Sequence, residues 1–370
     1  MIKILFFIEK FGGGGAEKVL RNLVNHMDQS KFDITVQSIW PYEEGKLLVP
    51  GVKYKSVYSA RNKITEKLYR AEAASGLLYR LHVRDDYDIE CAFLEAGPTK
   101  ILASSTNRKA KKIAWVHCDL TKSLDNPKIF ALKTSGWYKK YDRIVCVSEN
   151  AKDAFDRLYA HQFNSSVLYN VVDDEEIRAK ANDQLPENVS KKRFTVMSVG
   201  RLMYQKGYDM LLRVHKRLID EGFQYDLWIA GEGEDRSKLE KFIKENGLSG
   251  SVHLLGFVNN PYSLMNVADL LVCSSRWEGF STFATEGVIL GKPIVTTDCT
   301  GMRELLGDSQ YGYIVPIDEE KIYLGLRNMI QDDALRDSYS RQAKIRGKEF
   351  NARRLTKTIE NFFLSEVGMR

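Results

Sequence analysis

The sequence predicts an α/β protein built from two doubly wound parallel sheets, and three observations carry that prediction. Short β-rich runs alternate with helical patterns along most of the chain, the arrangement expected of parallel strands joined by crossover helices. The 370 residues exceed a single core of ordinary size, so two domains are expected. A polar stretch at residues 180–193 separates two such β/α series and reads as the linker between them.

In the first series the strands are expected at residues 2–8, 33–39, 52–57, 88–93, 112–117 and 143–147, with helices including 64–81, 126–141 and 151–159. The first strand runs into Glu9-Lys-Phe-Gly12-Gly13-Gly14-Gly15-Ala16-Glu17 and then a helical pattern carried by Val19, Leu20, Leu23, Val24 and Met27. Glycines let the backbone approach a phosphate, and a helix N-terminus favours its charge. The loop matches neither Gly-x-Gly-x-x-Gly with a suitably placed acid nor Gly-x4-Gly-Lys-Ser/Thr, so it reads either as a phosphate cradle or as a flexible turn. His117 closes the strand at 112–117, which puts it at the carboxyl rim where open α/β sheets bind ligands; a lone histidine is otherwise more often structural. Asp86-Tyr-Asp88 has the form of an Asp-x-Asp metal motif, but it opens a strand and so falls on the wrong edge of the sheet. The helix at 126–141 carries Lys128, Lys133, Trp137, Tyr138, Lys139 and Lys140, a surface suited to lipid headgroups, although a solvated helix is the commoner meaning of that pattern.

In the second series the strands are expected at 194–199, 226–230, 252–255, 270–273, 293–297 and 312–315, and the helices at 208–221, 235–246, 281–290 and 319–331. The stretch from Ser274 to Glu286 stands out as a strand, a loop and a helix start, with Glu278 in the loop and Glu286 one turn inside the helix. Glu-x7-Glu spacing alone is weak, since Glu9/Glu17 and Glu232/Glu240 share it. The setting, between the apolar strand before it and Gly291-Lys-Pro-Ile-Val-Thr after it, gives it weight.

Composition narrows the class. Of the net charge of +6, residues 1–140 carry +9 (24 Lys and Arg against 15 Asp and Glu) and the remainder −3 (31 against 34). That asymmetry fits an N-terminal half facing an anionic surface, or an ordinary solvated basic face. Cys91, Cys118, Cys146, Cys273 and Cys299 are scattered without Cys-x-x-Cys or metal-ligand spacing, which fits buried thiols in a reducing cytoplasm. No apolar run of membrane-spanning length appears, and residues 1–8 are too short for a signal core.

Five signatures lie in order across residues 195–315: Ser198-Val-Gly200-Arg201-Leu-Met-Tyr-Gln-Lys206-Gly207, Ile229-Ala-Gly231-Glu232-Gly233, Leu255-Gly256-Phe257-Val258, Glu278 with Glu286, and Gly291-Lys-Pro-Ile-Val-Thr. In this register the chain resembles the family-four retaining glycosyltransferases. The first half resembles them more loosely, through Gly14-Gly15-Ala16-Glu17, His117 and Val147-Ser148; at Tyr169-Asn-Val-Val-Asp173 it departs from the family's Asn-Gly-Val-Asp. The resemblance implies a GT-B architecture, two Rossmann-like doubly wound domains facing across a cleft. Residues 1–185 would bind the acceptor, 186–350 the nucleotide-sugar donor, and 351–370 would form a C-terminal helix packing back toward the first domain.

By the same resemblance the function is retaining transfer of a hexose from a nucleotide diphosphate sugar, preferably UDP-linked, to a saccharide or polyprenyl-linked saccharide in bacterial surface polysaccharide synthesis. Arg201 and Lys206 would hold the diphosphate, a fork and a point charge respectively. Glu286 would accept the ribose hydroxyls, Glu278 with the amides of Gly279, Phe280, Ser281 and Thr282 would hold sugar and phosphate, and Val258 would meet the base. Gly231 belongs to the donor set, Gly14 and Gly15 would lend amides to phosphate, and His117 would touch the sugar. No metal, no separate cofactor and no nucleic acid are expected; the expected place is the cytoplasm, at the inner face of the membrane. Two alternatives stand beside this: a nucleotide-sugar epimerase of the same shape, and a non-catalytic sugar-nucleotide-binding subunit.

Overall fold

Seven parallel strands organise the first half of the chain in the computed structural model, which describes residues 1–11, 14–41, 47–187 and 189–368. They are β1 (Ile2–Ile8), β2 (Phe32–Ser38), β3 (Lys53–Ser56), β4 (Ile89–Ala92), β5 (Lys111–Val116), β6 (Arg143–Cys146) and β7 (Ser165–Val167), in the spatial order β3-β2-β1-β4-β5-β6-β7. Six more form a second parallel sheet: β8 (Phe194–Val199), β9 (Tyr225–Ala230), β10 (Val252–Gly256), β11 (Leu270–Cys273), β12 (Ile294–Thr297) and β13 (Tyr313–Val315), ordered β10-β9-β8-β11-β12-β13. Both sheets have the doubly wound order, in which the winding reverses between β1 and β4 and between β8 and β11. Ligands bind beyond the carboxyl ends of the strands at such reversals.

The apolar runs form strands because both faces of each sheet are covered by helices. All six residues of β9 are buried, as are all four of β4, β11 and β12, so these strands read as continuous hydrophobic segments rather than alternating ones. The helix Tyr208–Asp220 shows the complementary pattern and buries Tyr208, Met210, Leu211, Leu212, Val214, His215 and Leu218. Side-chain caps start several helices: Ser148 accepts from the Ala151 amide, Asp173 from Glu176 and Asp318 from Lys321.

The chain divides into one unit of Met1–Val171 with the segment from Ala352 on, and a second of Val172–Asn351. The division therefore precedes the expected boundary at 185/186. The helix Asp174–Lys180 belongs to the second unit, where Asn260 donates to the Lys180 carbonyl at 2.9 Å and Asn266 to that of Ala181 at 3.0 Å. The polar stretch at 180–193 is no free linker. Lys191 pairs with Asp269 at 2.7 Å, and Arg193 with Asp226 at 2.8 Å and the Gly250 carbonyl at 2.6 Å. In the first unit the helix Ala352–Glu366 buries Phe363 edge-on against Phe6, with ring centroids 5.9 Å apart, and Glu360 accepts the Asp28 amide at 2.6 Å.

The helix expected over 64–81 is two, Lys63–Ser75 and Leu78–His82, because Gly76 caps the first in the left-handed conformation (φ 74°). Asp88, at the amino edge of β4, accepts the Lys3 amide at 2.8 Å, a structural role at the end of the sheet away from the strand carboxyl ends.

Candidate functional site

The loop that leaves β8 and the loop that leaves β11 meet at the reversal point of the second sheet, and there Lys206 and Glu278 form an ion pair. Lys206 Nζ lies 2.6 Å from Glu278 Oε1, which also accepts the Ser275 hydroxyl at 2.6 Å. The side chains are 19% and 9% exposed, so water screens the pair only in part. Burial works against the Lys206 charge, but the Glu278 carboxylate, helped by Cys273 and Tyr208, outweighs it and raises the ammonium above the ordinary lysine range. Lys206 is therefore cationic throughout the physiological range, and only one of its three N–H donors is taken by Glu278. Its stem lies across Gly200, where a Cβ would stand 3.1 Å from Lys206 Cε.

Arg201 follows β8 and is exposed, with no side-chain partner among the described residues. Arg201 is free to meet a ligand, and Lys206, seated on Glu278, keeps two N–H donors for one. Gly279, Phe280 and Ser281 are buried and lead into the helix Thr282–Ile289, which Ser281 caps through its hydroxyl on the Ala284 amide. Glu286, one turn inside this helix, is buried and accepts the Tyr262 hydroxyl at 3.3 Å. Val258 is half-buried in the loop that leaves β10, beside the exposed Phe257.

Gly231 has a packing reason of its own. At φ 146° it sits where an added Cβ would stand 2.0 Å from the Gly200 carbonyl oxygen, so its lack of a side chain lets the β8 and β9 loops close on one another.

In the first unit, Gly14 and Gly15 open the helix Gly15–His26, whose start has no side-chain cap; Gly12 and Gly13 lie outside the described residues. Glu17 is buried in its first turn, and a Cβ on Gly14 would stand 2.1 Å from the Glu17 carboxylate. His117 leaves β5 with its ring 4.7 Å from that of Phe93 and stacked at 6.5 Å on Trp115. Burial pushes its pKa down to about 3, and Nε2 is buried without a partner, so the ring is a neutral hydrogen-bonding group rather than a proton donor.

Glu95 escaped the sequence reading. Its Oε1 accepts the amides of His117 and, at 3.1 Å, Cys118, tying the end of β4 to the end of β5; burial raises its pKa against the pull of those amides. The neighbouring Ala96 holds φ 60°, a strained value for a residue with a Cβ. The available signal was a carboxylate just past a buried strand, before Gly97-Pro98.

Among the described residues, no group of three or more His, Cys, Asp or Glu could hold a metal ion, and no helix is long and apolar enough to cross a membrane.

Two doubly wound sheets, the second with a cation and a carboxylate at its winding reversal, define a two-domain α/β protein. The family models for glycosyl transferases group 1 and for Glycosyltransferase Family 4 match residues 180–346 and 13–176. The chain belongs to the family-four glycosyltransferases. It is 35% identical over 230 residues to a Campylobacter jejuni N-acetylgalactosamine-N,N'-diacetylbacillosaminyl-diphospho-undecaprenol 4-alpha-N-acetylgalactosaminyltransferase, a match spanning 61% of each chain and so about three-fifths of that relative. Among solved structures it is similar to Anabaena HepE in complex with UDP and glucose (TM-score 0.77, 18% identity, 99% of this chain and 100% of that one). It is also similar to sucrose-phosphate synthase from Thermosynechococcus elongatus (TM-score 0.81, 15% identity, 98% of each). At that identity the structures show the fold, which is GT-B.

Proposed function

We propose that this chain transfers a hexose from a nucleotide diphosphate sugar, with UDP as the preferred nucleotide, to a saccharide or lipid-linked saccharide, keeping the donor's anomeric configuration. The observation that carries this reading is the exposed Arg201, without a side-chain partner among the described residues, on the same loop as the Lys206 that pairs with Glu278 at the winding reversal of the second sheet. The Campylobacter jejuni relative, named for an undecaprenyl diphosphate acceptor, supports a lipid-linked one; the HepE complex with UDP and glucose supports the nucleotide. In bacterial cells such a reaction would serve surface polysaccharide synthesis.

The reaction follows from charge. Arg201 and Lys206 stabilise the negative charge that grows on the departing diphosphate as the bond between anomeric carbon and phosphate oxygen breaks. The acceptor oxygen bonds to the same face of that carbon while its proton passes to the leaving phosphate oxygen. Double displacement would need a free carboxylate under the anomeric carbon, and Glu278 Oε1 already carries two hydrogen bonds, from Lys206 and Ser275. Glu286 would take the ribose hydroxyls, and His117 the sugar. Since two protein cations meet the diphosphate, turnover is expected to persist in EDTA.

The test is a screen of UDP-, GDP- and ADP-sugars with saccharide acceptors, with proton NMR of the fresh product. The expected result is a product with the donor's configuration, formed in EDTA. An inverted product, or no turnover without added metal, would overturn the mechanism; isomerisation of donor alone would point to an epimerase, and binding without turnover to a non-catalytic subunit.

We also propose that the first unit meets anionic membrane from the inner face. Leu132 and Ile129 are 82% and 50% exposed on the helix Pro127–Tyr138, which bears Lys128 and Lys133, and Ile64 is 78% exposed on Lys63–Ser75 among Lys63, Lys67 and Arg70. Each cation near an anionic surface contributes about 1 kcal/mol, screened by salt. Sedimentation with vesicles should show binding to anionic but not to neutral lipid, weakening as salt rises; equal binding to both, or none, would refute it.

A further inference from the structure

We infer that Arg276 is a positioning residue for the donor-phosphate loop, holding residues 201–207 in register against the loop that carries Glu278. This inference rests on the diphosphate reading above. The two loops run side by side and are stitched at several points. The Arg276 amide donates to the Gln205 carbonyl at 2.7 Å, Gln205 Nε2 to the Trp277 carbonyl at 2.9 Å, and the Ser274 hydroxyl to the Lys206 carbonyl at 2.8 Å. Gly207, at φ 66°, allows the approach, since a Cβ there would stand 2.1 Å from the Ser274 carbonyl oxygen.

Across these stitches lies one buttress. Nη1 and Nη2 of Arg276 each donate at 2.8 Å to a different oxygen of Asp209, a two-pronged pair that fixes the plane of the guanidinium. Nη1 also donates to the Tyr204 carbonyl at 2.6 Å, and the guanidinium carbon lies 3.8 Å from the centre of the Tyr204 ring. Asp209 stands in the first turn of the helix Tyr208–Asp220, where Arg213 reaches it as well and continues to Glu319 on the helix Glu319–Gln331. Burial alone would raise the Asp209 carboxyl, but Arg276 and Arg213 overcome it and bring it down to about 2. The Arg276 side chain is 14% exposed and its contacts turn into the protein, so it acts through Lys206 and Arg201 rather than on a ligand.

Lysine has a point charge and no fork, so it cannot replace these contacts. A misplacement of about 1 Å in such a scaffold costs on the order of 10- to 100-fold.

Calorimetry on the full chain tests this with UDP, GDP, CDP and ADP, taking the best-bound of the four and its monophosphate. Arg276→Ala and Arg276→Lys should both weaken the diphosphate on the order of 10- to 100-fold, leave the monophosphate unchanged, and raise the KM for donor but not for acceptor. Asp209→Asn should do the same, and the double variant with Arg276→Ala should fall short of the sum of the two changes, because both remove the Arg276–Asp209 contact. An unchanged diphosphate affinity in Arg276→Ala, while Lys206→Ala loses it, would overturn this inference alone. Equal weakening of di- and monophosphate would also overturn it, as a general loss of structure. A wild-type chain that binds none of the four, or Lys206→Ala that binds as wild type does, would overturn the diphosphate reading and this inference with it.

Discussion

Lys206→Ala is expected to lower kcat/KM for the donor by about 2–4 kcal/mol, roughly 30- to 1000-fold, the scale of one preorganised electrostatic contact to a charge that develops in the transition state. Arg201→Ala should lose a comparable amount, but the two differ in what they do to the fold. Arg201 is exposed and has no side-chain partner among the described residues, so its removal should leave the melting temperature unchanged. Lys206 sits 2.6 Å from Glu278, and its removal leaves a buried carboxylate with the Ser275 hydroxyl as its one remaining partner among the described residues. Breaking a buried pair from one side costs about 3–5 kcal/mol, less here because the lysine is still 19% exposed. Thermal unfolding alongside donor kinetics separates the two effects. Two low turnovers with one lowered melting temperature is the expected result; near-wild-type turnover in both variants would remove the diphosphate assignment.

The winding of both sheets was legible because parallel strands buried on both faces leave continuous apolar runs, and β9 and β11 are of that kind. The edge strand β7 was not, since Ser165, Ser166 and Val167 are only half-buried and carry no such signal. The break at Gly76 was missed because the helical spacing continues past it, while a left-handed cap is a property of one residue. Residues 180–193 look like a linker because they are polar, yet Lys191 and Arg193 are polar in order to pair with Asp269 and Asp226 at the starts of β11 and β9. The site shows the same limit. Lys206 and Glu278 could be named from local signatures, but their direct pairing joins positions 72 residues apart, a register that only the sheet order supplies. Glu95 and Arg276 act through backbone amides and a buttress, and no local spacing announces either.

Gly231→Ala should destabilise the chain by more than about 4 kcal/mol, in the range reached only when a substitution collides with something that cannot move. The new Cβ would stand 2.0 Å from the Gly200 oxygen and 2.9 Å from its carbon. Neither side can yield easily. Gly200 donates to the Ala230 carbonyl at 3.0 Å, Gly231 to Gly256 at 2.7 Å and Leu202 to Glu232 at 2.9 Å, so the loop after β8 is bonded to the strand end it would have to leave. The φ of 146° adds strain that a side chain cannot relieve locally. Any relaxation must carry Gly200, and with it Arg201, away from its place, so diphosphate affinity should fall together with the urea midpoint. Gly136→Ala is the control, since an added Cβ there meets nothing within 4 Å and the residue lies within the helix Pro127–Tyr138. It should be neutral or stabilising by about 0.5–1 kcal/mol. A Gly231→Ala chain within about 1 kcal/mol of wild type, with diphosphate affinity intact, would mean that the contact between the β8 and β9 loops gives way at little cost and that Gly231 is no constraint on the Arg201 loop.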